Sequence, residues 1–509
     1  MMTADSGIKL FKGREATYVR FLACLMLTLA AVSGLLIVSE DADAYVSEWD
    51  HHSTWGSNDC IIELTGHIKS IDGINHWSNT TLTVSGTGPM ADYPATQYSY
   101  YTTAPWIDVS GYNSTCNTVE KVVIMEGVTH VGALSFQGLH NLNEVVLPQS
   151  LISIGDGAFE KCGNLREVIT GDNLEWIGSD AFSECKRLSH VYLGESVNTI
   201  GVGAFKWCPL KEINLPNSIK TISGAFFFSG LESVQLPADL KSIGTDAFSY
   251  CSNLKSIKIP ETVEYIGDGA FKHCTSLTAV VIPDSVKEIG YGAFESCGNL
   301  STVELPDSIE VIKWEMFRNS GLQSIRIPDS VKIIEQSAFS NCKQLTDVVM
   351  GGSVEEIGFF AFQGCDNLDG IIFPESLKRM GEATSGFQLL KNFYLPAGLE
   401  TIDSTYRLFK WYDLDGNLVE PTVENLRGHL WESDGKLFGT AHMVTAGESD
   451  SDSTPSDQIP EKLSPLQDYL RRSVSRLIDW ATSEVPGLLD IGVTIYLMIK
   501  TSWSPHFES

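Results

Sequence analysis

Cysteine is the residue type whose spacing most strongly suggests chemistry in this chain. The 509 residues include eleven Cys. Eight of these recur at one regular spacing, at Cys162, Cys185, Cys208, Cys251, Cys274, Cys297, Cys342 and Cys365. If the protein is exported, such a series favours disulfide bonds. If the cysteines are not paired, they would form a row of free thiols. No Cys-x-x-Cys pair occurs in the sequence, which leaves little support for a zinc site or a redox dithiol.

Other motifs that could carry chemistry are weak. Residues 413–424 place Asp413, Asp415, Asn417 and Glu424 as a calcium loop would, but Leu stands at position six, where that loop needs Gly. The Asp-Gly-Asn within this segment lies between apolar runs, which favours a hairpin turn. The chain has no Gly-x-Ser-x-Gly, His-Glu-x-x-His or Walker sequence. We therefore predict no catalysis, no metal site and no cofactor.

The recurring cysteines belong to a longer repeat that Phe marks most clearly. The steps between successive members are 21 to 23 residues, at Phe136, Phe159, Phe182, Phe205, Phe226, Phe248, Phe271, Phe294, Phe317, Phe339 and Phe362. A period this tight indicates one supersecondary unit copied and stacked as a solenoid. A single copy cannot bury enough surface to order itself, but eleven copies can cover one another.

Residues 254–276 illustrate one copy. Ile257–Ile259 alternates inward and outward and stops at Pro260, as a short strand does. A second short extended segment follows, and the segment around Phe271 predicts one tight helical or 3₁₀ turn. The predicted fold is a mainly β repeat solenoid of about eleven copies with β-rich caps. At a strand spacing of about 4.8 Å, the stack would be on the order of 50 Å long.

The repeat resembles the BspA-like, or Treponema-type, leucine-rich repeat family. The resemblance covers residues 119–400, and "LTAVVIPDSVKEIGYGAFESCGNL" at 277–300 fits nearly every position of the family consensus. Met316 replaces the usual Ala before Phe, and the copy after Phe362 decays. The resemblance implies a leucine-rich repeat stack and adhesion to proteins of host or neighbouring cells.

The repeat also indicates whether the cysteines are paired as disulfides or free. Neighbouring copies would bring their Cα atoms within disulfide range, but the Cβ vectors of stacked residues run parallel. Ser229 and Ser320 take the equivalent place in two copies. A column of small, buried, free thiols is therefore the favoured interpretation. Cys60 and Cys116 lie outside the repeats and are a candidate disulfide.

The sequence divides into six predicted segments. The first carries a basic start, an uncharged stretch at 21–38 and Ala-x-Ala ending at Ala44, which is typical of a cleaved export signal or of an uncleaved signal anchor. The segments are 1–44 signal, 45–118 β-rich N-terminal cap, 119–400 repeats, 401–446 small β cap, 447–462 acidic linker, and 463–509 amphipathic helix with a short apolar end.

Two kinds of modification or contact are predicted outside the repeats. Asn79 and Asn113 lie in sequons, so they are candidate glycosylation sites in an exported chain. Residues 463–499 combine an amphipathic helix with an apolar run. This segment fits a helix on a membrane surface, a marginal span, or ordinary packing and oligomer contacts.

Binding would use the outward residue of each predicted strand. These residues form one column along the stack, composed of Val146, Ile169, Tyr192, Asn214, Gln235, Lys258, Val281, Glu304, Arg326, Val349, Ile372 and Tyr394. Within it we name Val146, Ile169, Tyr192, Lys258, Arg326 and Tyr394 as candidate binding residues. The alternative is that β-branched residues simply suit exposed strand positions.

The net charge of the chain limits the classes of partner that it can bind. The chain carries a formal net charge of −29, with no basic run that nucleic acid would require. We predict an extracellular, cell-surface or membrane-associated protein that binds proteins or glycans. The alternative is a structural, self-associating component of the cell envelope.

Overall fold

The computed structural model describes residues 46–57, 60–71, 74–93, 104, 106, 118–368, 370–381, 392–401, 410–433 and 440–444. The chain forms two compact units, Met1–His51 with His67–Ser78 and His52–Gly66 with Asn79–Ser509. Every described residue of the first unit lies in a strand. The features that follow belong to the second unit.

Short strands make up almost all of the regular structure. In chain order they are β1 (Val46–Ser57), β2 (Cys60–Ile71), β3 (Ile74–Gly86), β4 (Gly88–Pro89), β5 (Lys121–Ile124), β6 (Val128–Val131), β7 (Glu144–Val146), β8 (Ser153–Ile154), β9 (Glu167–Ile169), β10 (Trp176–Ile177), β11 (His190–Tyr192), β12 (Thr199–Ile200), β13 (Glu212–Asn214), β14 (Thr221–Ile222), β15 (Ser233–Gln235), β16 (Ser242–Ile243), β17 (Tyr265–Ile266), β18 (Ala279–Val281), β19 (Glu288–Ile289), β20 (Thr302–Glu304), β21 (Val311–Ile312), β22 (Ser324–Arg326), β23 (Ile333–Ile334), β24 (Asp347–Val349), β25 (Glu356–Ile357), β26 (Gly370–Ile372), β27 (Arg379–Met380), β28 (Asn392–Leu395), β29 (Lys410–Tyr412), β30 (Leu418–Val419), β31 (His429–Ser433) and β32 (Thr440–Val444). One helical turn, α1 (Val423–Leu426), accompanies them.

The repeats form a β-solenoid in which each full repeat, here called a rung, pairs with the next. One column of strands runs from β7 through β9 and β11 toward β28, and the other runs from β6 through β8 and β10 toward β27. The pairing is parallel, and it joins equivalent residues: Ile154 lies beside Ile177, which lies beside Ile200. Every side chain therefore lies next to its counterpart one repeat away.

The apolar pattern explains why the strands are short and where they face. In β9, Val168 is buried between an exposed Glu167 and an exposed Ile169, and most strands of this column share that alternation. Ile257 and Ile259 are buried around an exposed Lys258, as predicted, but these residues form no ladder with their neighbours. The strand expected in that copy is therefore absent, although its side chains keep the alternation.

The predicted helical turn around each Phe is wrong in detail. Two residues per rung adopt the left-handed conformation, and in the rung of Phe271 they are Gly269 and His273, with φ of 59° and 57°. Left-handed residues end a helix after one turn. They also orient every second backbone N–H group toward the next rung. For example, the N–H of Phe271 donates to Ala293 O at 2.8 Å. The turn thus becomes a third hydrogen-bonded column.

The Phe side chains form one continuous buried stack inside the solenoid. All eleven rings, from Phe136 to Phe362, are at most 1% exposed. Successive ring centroids lie 5.1 to 5.7 Å apart with interplanar angles of 1° to 20°. Each ring is covered on both faces by the rings of adjacent rungs, except at the two ends.

Tryptophan closes the first end of the stack. Trp106 is 1% exposed, its ring centroid lies 6.1 Å from that of Phe136, and its indole N–H donates to Ser135 O at 2.9 Å. Tyr93 packs edge-on against Trp106 with centroids 4.8 Å apart. These residues come from the segment that the sequence assigns to the N-terminal cap.

A mixed sheet follows the last described rungs, with β29 and β32 paired in parallel and its other new pairs antiparallel. β28 pairs in parallel with β26 but antiparallel with β31, and the sheet continues through β32, β29 and β30. Trp411 and Trp431 are buried within it, edge to face, with centroids 4.7 Å apart. Four strands, β29 to β32, follow β28 in the described residues, and α1 begins after Thr422, whose hydroxyl accepts from Asn425 N at 3.3 Å.

Several predicted features fall outside the described residues. These are the signal at 1–44, Cys116, Asn113, the acidic linker at 447–462 and the segment at 463–509. Within the described ranges, no helix has both the length and the apolar character needed to cross a membrane.

We expect Phe271→Ala to lower the free energy of unfolding by about 3–5 kcal/mol, because it opens a gap between two stacked rings. Urea denaturation of the full chain measures this loss. Phe359→Ala is the matched control: the Phe359 ring is 45% exposed, so its loss should cost under about 1 kcal/mol. Equal losses in the two variants would contradict a stability role for the ring stack.

Candidate functional site

The predicted binding residues lie on the strand column formed by the outward residues of β7, β9, β11 and their successors. Val146, Ile169 and Tyr192 are 39%, 58% and 55% exposed. Lys258 and Arg326 are also exposed. The structure does not bring the six candidates together, because the column spreads them over many rungs.

Three of these residues do form a continuous apolar row. Tyr192 lies directly beside Ile169 in the pairing of β11 with β9, and Val146 holds the equivalent place on the preceding strand, β7. The next two positions, Asn214 and Gln235, are polar. On the other side, Val146 pairs with Val123, which is half-buried, so the exposed apolar row consists of Val146, Ile169 and Tyr192.

Tyr394 differs from the other candidates because its polar end is already engaged. Its hydroxyl donates to Glu375 Oε1 at 2.8 Å. Burial, together with that carboxylate, raises the pKa of Tyr394 to about 12. It is half-buried, so it offers less surface to a partner than Tyr192.

The eight repeat cysteines form a buried column of free thiols. Each Sγ–H donates to the carbonyl oxygen of the Phe one rung earlier, at 3.0 to 3.2 Å. Burial raises the pKa of Cys251 and Cys297 to about 12. Because the thiolate is the reactive form, these groups are inert, and the column is structural.

The two serines in this column confirm its packing role. Ser229 Oγ lies 3.2 Å from Cys251 Sγ, and Ser320 Oγ lies 3.2 Å from Cys342 Sγ. A hydroxyl therefore occupies the same place as a thiol. Cys60 is buried, but its proposed partner Cys116 lies outside the described residues. Asn79 is exposed on β3.

An exposed aromatic row on the turns was not expected from the sequence. Trp207, Phe228, Tyr250 and His273 each precede the Cys position, or its Ser substitute, of four successive rungs. Their rings stack with centroids 4.6, 4.1 and 4.3 Å apart. Trp207, at the end of this aromatic row, is 49% exposed. Burial lowers the pKa of His273.

The period alone could have revealed this row. The four residues are spaced by 21, 22 and 23 residues, which equals the spacing of the Phe residues in the same rungs. In-register stacking must then place the rings over one another. Strand alternation gives no sign of this row, because the four residues lie on turns.

A notch interrupts the turn face at the last rung of the aromatic row, that of His273, and at the rung after it. Gly269 and Gly292 occupy one left-handed position in adjacent rungs, where the flanking rungs carry Asp246 and Glu315. The missing side chains leave an open cavity of about 230 Å³. We call this cavity the Gly269–Gly292 notch.

Two columns of side chains form the walls of the notch. Thr245, Asp268, Tyr291 and Trp314 line one side, and Lys272 and Glu295 line the other. Lys272 Nζ donates to Glu295 Oε2 at 2.7 Å, and this bond raises the pKa of Lys272. Glu295 is only 9% exposed, so it is a carboxylate held in place.

The calcium-like segment forms a hairpin. β29 and β30 pair antiparallel around it. Asp413 Oδ1 accepts from the N–H groups of Asp415 and Asn417 at 2.9 and 2.8 Å, and Asn417 lowers the pKa of this carboxyl. Across the part of the chain that the structure describes, no three His, Cys, Asp or Glu side chains cluster as metal ligands.

The fold and its repeat can now be compared with known proteins. A family model described as the BspA type leucine rich repeat region, in six copies, matches residues 107–230, 223–346 and 316–427. The chain belongs to this family. No curated protein matches the chain.

Solved structures similar to this BspA-type chain are leucine-rich repeat proteins. One from Bacteroides ovatus is 23% identical with a TM-score of 0.47, covering 69% of this chain and 92% of its own. A leucine rich cell surface protein from Faecalibacterium prausnitzii is 23% identical with a TM-score of 0.38, covering 65% and 94%. The pneumococcal vaccine antigen PcpA is 19% identical with a TM-score of 0.42, covering 65% and 94%. At these identities the likeness concerns the fold alone.

We expect all eight repeat cysteines to react with an alkylating agent in the unfolded, unreduced chain and to resist it in the native chain. Burial protects them in the fold, and no disulfide joins them when the fold is lost. Intact mass and peptide mapping, with and without reductant, measure this. Alkylation of none of the eight without reductant would show that they form disulfides.

Proposed function

We propose that this chain is exported to the cell surface, where its solenoid binds proteins or glycans of host or neighbouring cells without catalysing a reaction. Export is supported by the basic start, the uncharged stretch at 21–38 and the Ala-x-Ala sequence. Binding is supported by one observation above all, the exposed apolar row Val146–Ile169–Tyr192.

The apolar row is unusual because nothing in the fold requires it. Inward residues of these strands already fill the core, so Ile169 and Tyr192 could be polar at no cost to packing. At Asn214 and Gln235 the same column is polar. A contiguous exposed apolar patch is typical of a contact surface, and Tyr is among the residues that contribute most at protein interfaces.

The repeat also argues against catalysis. An active site needs singular groups held in one place, whereas the columns of this solenoid repeat the same residue types. The pronounced negative charge disfavours nucleic acid as a partner. Contact of residues 463–499 with a membrane surface is part of the proposal and depends on the amphipathic sequence of that segment.

We expect the double variant Ile169→Ser with Tyr192→Ser to bind its partners at least tenfold more weakly, which corresponds to about 1.4 kcal/mol. Loss of the apolar contact is the reason. The probe is an array of extracellular-matrix and cell-surface proteins, screened with the full chain, and affinities for the proteins that bind are measured by surface plasmon resonance.

Val281→Ser is the matched control. Val281 is 60% exposed on the same column, but its neighbours Lys258 and Glu304 are charged, so it belongs to no apolar row. It should leave affinity unchanged, and the melting temperature should stay the same in both variants. Unchanged affinity in the double variant would refute the role of the row.

A further inference from the structure

The Gly269–Gly292 notch joins acceptor groups and aromatic rings in one small cavity. Its volume of about 230 Å³ is below the roughly 300–1,000 Å³ of pockets for drug-sized ligands. A single ring-sized unit of a larger ligand would therefore fill it. The inference that follows rests on the proposed function, surface binding, and names the ligand class for one site.

Glycine creates the space, and no core packing requires it. A methyl group built on Gly269 would lie 2.8 Å from Asp246 Oδ1, and one on Gly292 would lie 3.2 Å from Glu295 Oε2. Those two carboxylate oxygens therefore border the space that the glycines leave open. At the same repeat position other rungs carry side chains, such as Asp180 and Ser337.

The polar lining accepts more hydrogen bonds than it donates. Ionised Asp and Glu only accept, and Asp246, Asp268 and Glu295 all line the notch. A ligand that satisfies them must supply several hydroxyl or N–H donors. Sulfate and carboxylate ligands supply none, and these ligands and phosphate would be repelled by the negative lining.

Cations pair with two of the four carboxylates that line the notch, and a third ion pair lies nearby. Lys272 pairs with Glu295, Arg318 pairs with Glu315, and Lys313 pairs with Glu288. Asp268 Oδ1 already accepts from Tyr291 N at 2.8 Å. The lining keeps an excess of negative charge, which disfavours an anionic ligand and leaves a neutral, donor-rich ligand or a cation.

The aromatic wall supplies the apolar half of the site. Tyr291 and Trp314 are each 46% exposed, and their rings meet edge to face at 67° with centroids 6.4 Å apart rather than stacking. Lys313 Nζ lies 5.0 Å from the centre of the Tyr291 ring. The electron-rich face of Trp attracts weakly positive C–H groups, which a sugar ring presents on one side.

We propose that the Gly269–Gly292 notch binds one pyranose ring of a neutral glycan. Trp314 packs on the C–H face of the sugar, and Asp246 and Glu295 accept hydrogen bonds from its hydroxyl groups. A pyranose is the ligand class that combines an apolar ring face with a donor-rich edge at this size.

The test uses the purified full chain on an array of neutral oligosaccharides built from glucose, galactose, mannose and N-acetylglucosamine. Glycans that bind are then titrated by calorimetry. Trp314→Ala should lower affinity at least tenfold, because it removes the stacking face. Gly292→Asn should do the same by filling the notch, and Asn tolerates the left-handed backbone there.

Trp207→Ala is the matched control, because Trp207 is as exposed as Trp314 but its ring face is stacked on Phe228. It should bind the glycans as the unaltered chain does. No binding of any neutral glycan, binding of polylysine in their place, or an equal loss in the Trp207 variant would overturn the proposal. Because the apolar row lies elsewhere on the solenoid, protein binding there would survive that failure.

Discussion

Each repeat presents to the next repeat an uncovered face of its Phe ring and an unpaired edge of its strands. A second copy of the same repeat covers that face and pairs with that edge. The ring needs another ring at about the distance at which the strands need another strand. Parallel, in-register pairing meets both needs at once, as Ile154, Ile177 and Ile200 show. The thiol column, the turn ladder and the aromatic caps at the ends all follow from this requirement.

Stacking like on like also creates a problem for charged residues, because a column of equal charges would repel. The sequence alternates the sign instead. Glu264 lies between Lys241 and Lys287, with Nζ to carboxylate distances of 3.7 and 3.1 Å, and its pKa is lowered chiefly by Lys287. Exposed pairs of this kind contribute little to stability singly, because water and salt screen them. Their main effect is to prevent repulsion between like charges, because in-register pairing places equivalent positions of adjacent rungs side by side.

The sequence predicts the solenoid well because the fold is repeated in it. The steps between Phe residues give the number of rungs, and alternation around residues such as Lys258 gives the outward column. The turns are harder to predict, because residues as different as Gly269, Asp246 and Phe360 share the left-handed conformation. That conformation is imposed by the neighbouring rungs, so local propensity indicates a helical turn where none forms. The notch could not be predicted from the sequence, because it depends on which columns of side chains lie beside Gly269 and Gly292.

The hydrogen bonds between rungs run along the axis of the solenoid, and this direction determines its response to force. Tension applied at the two ends would load those bonds one rung at a time, so the outermost rung would peel away before its neighbour is strained. Each release would add about 80 Å of extended chain for 23 residues. Because the rungs are so alike, the steps would come at similar forces. A protein of this design would lengthen in steps under load. The rungs that remain folded would keep their surfaces and could stay bound to a partner.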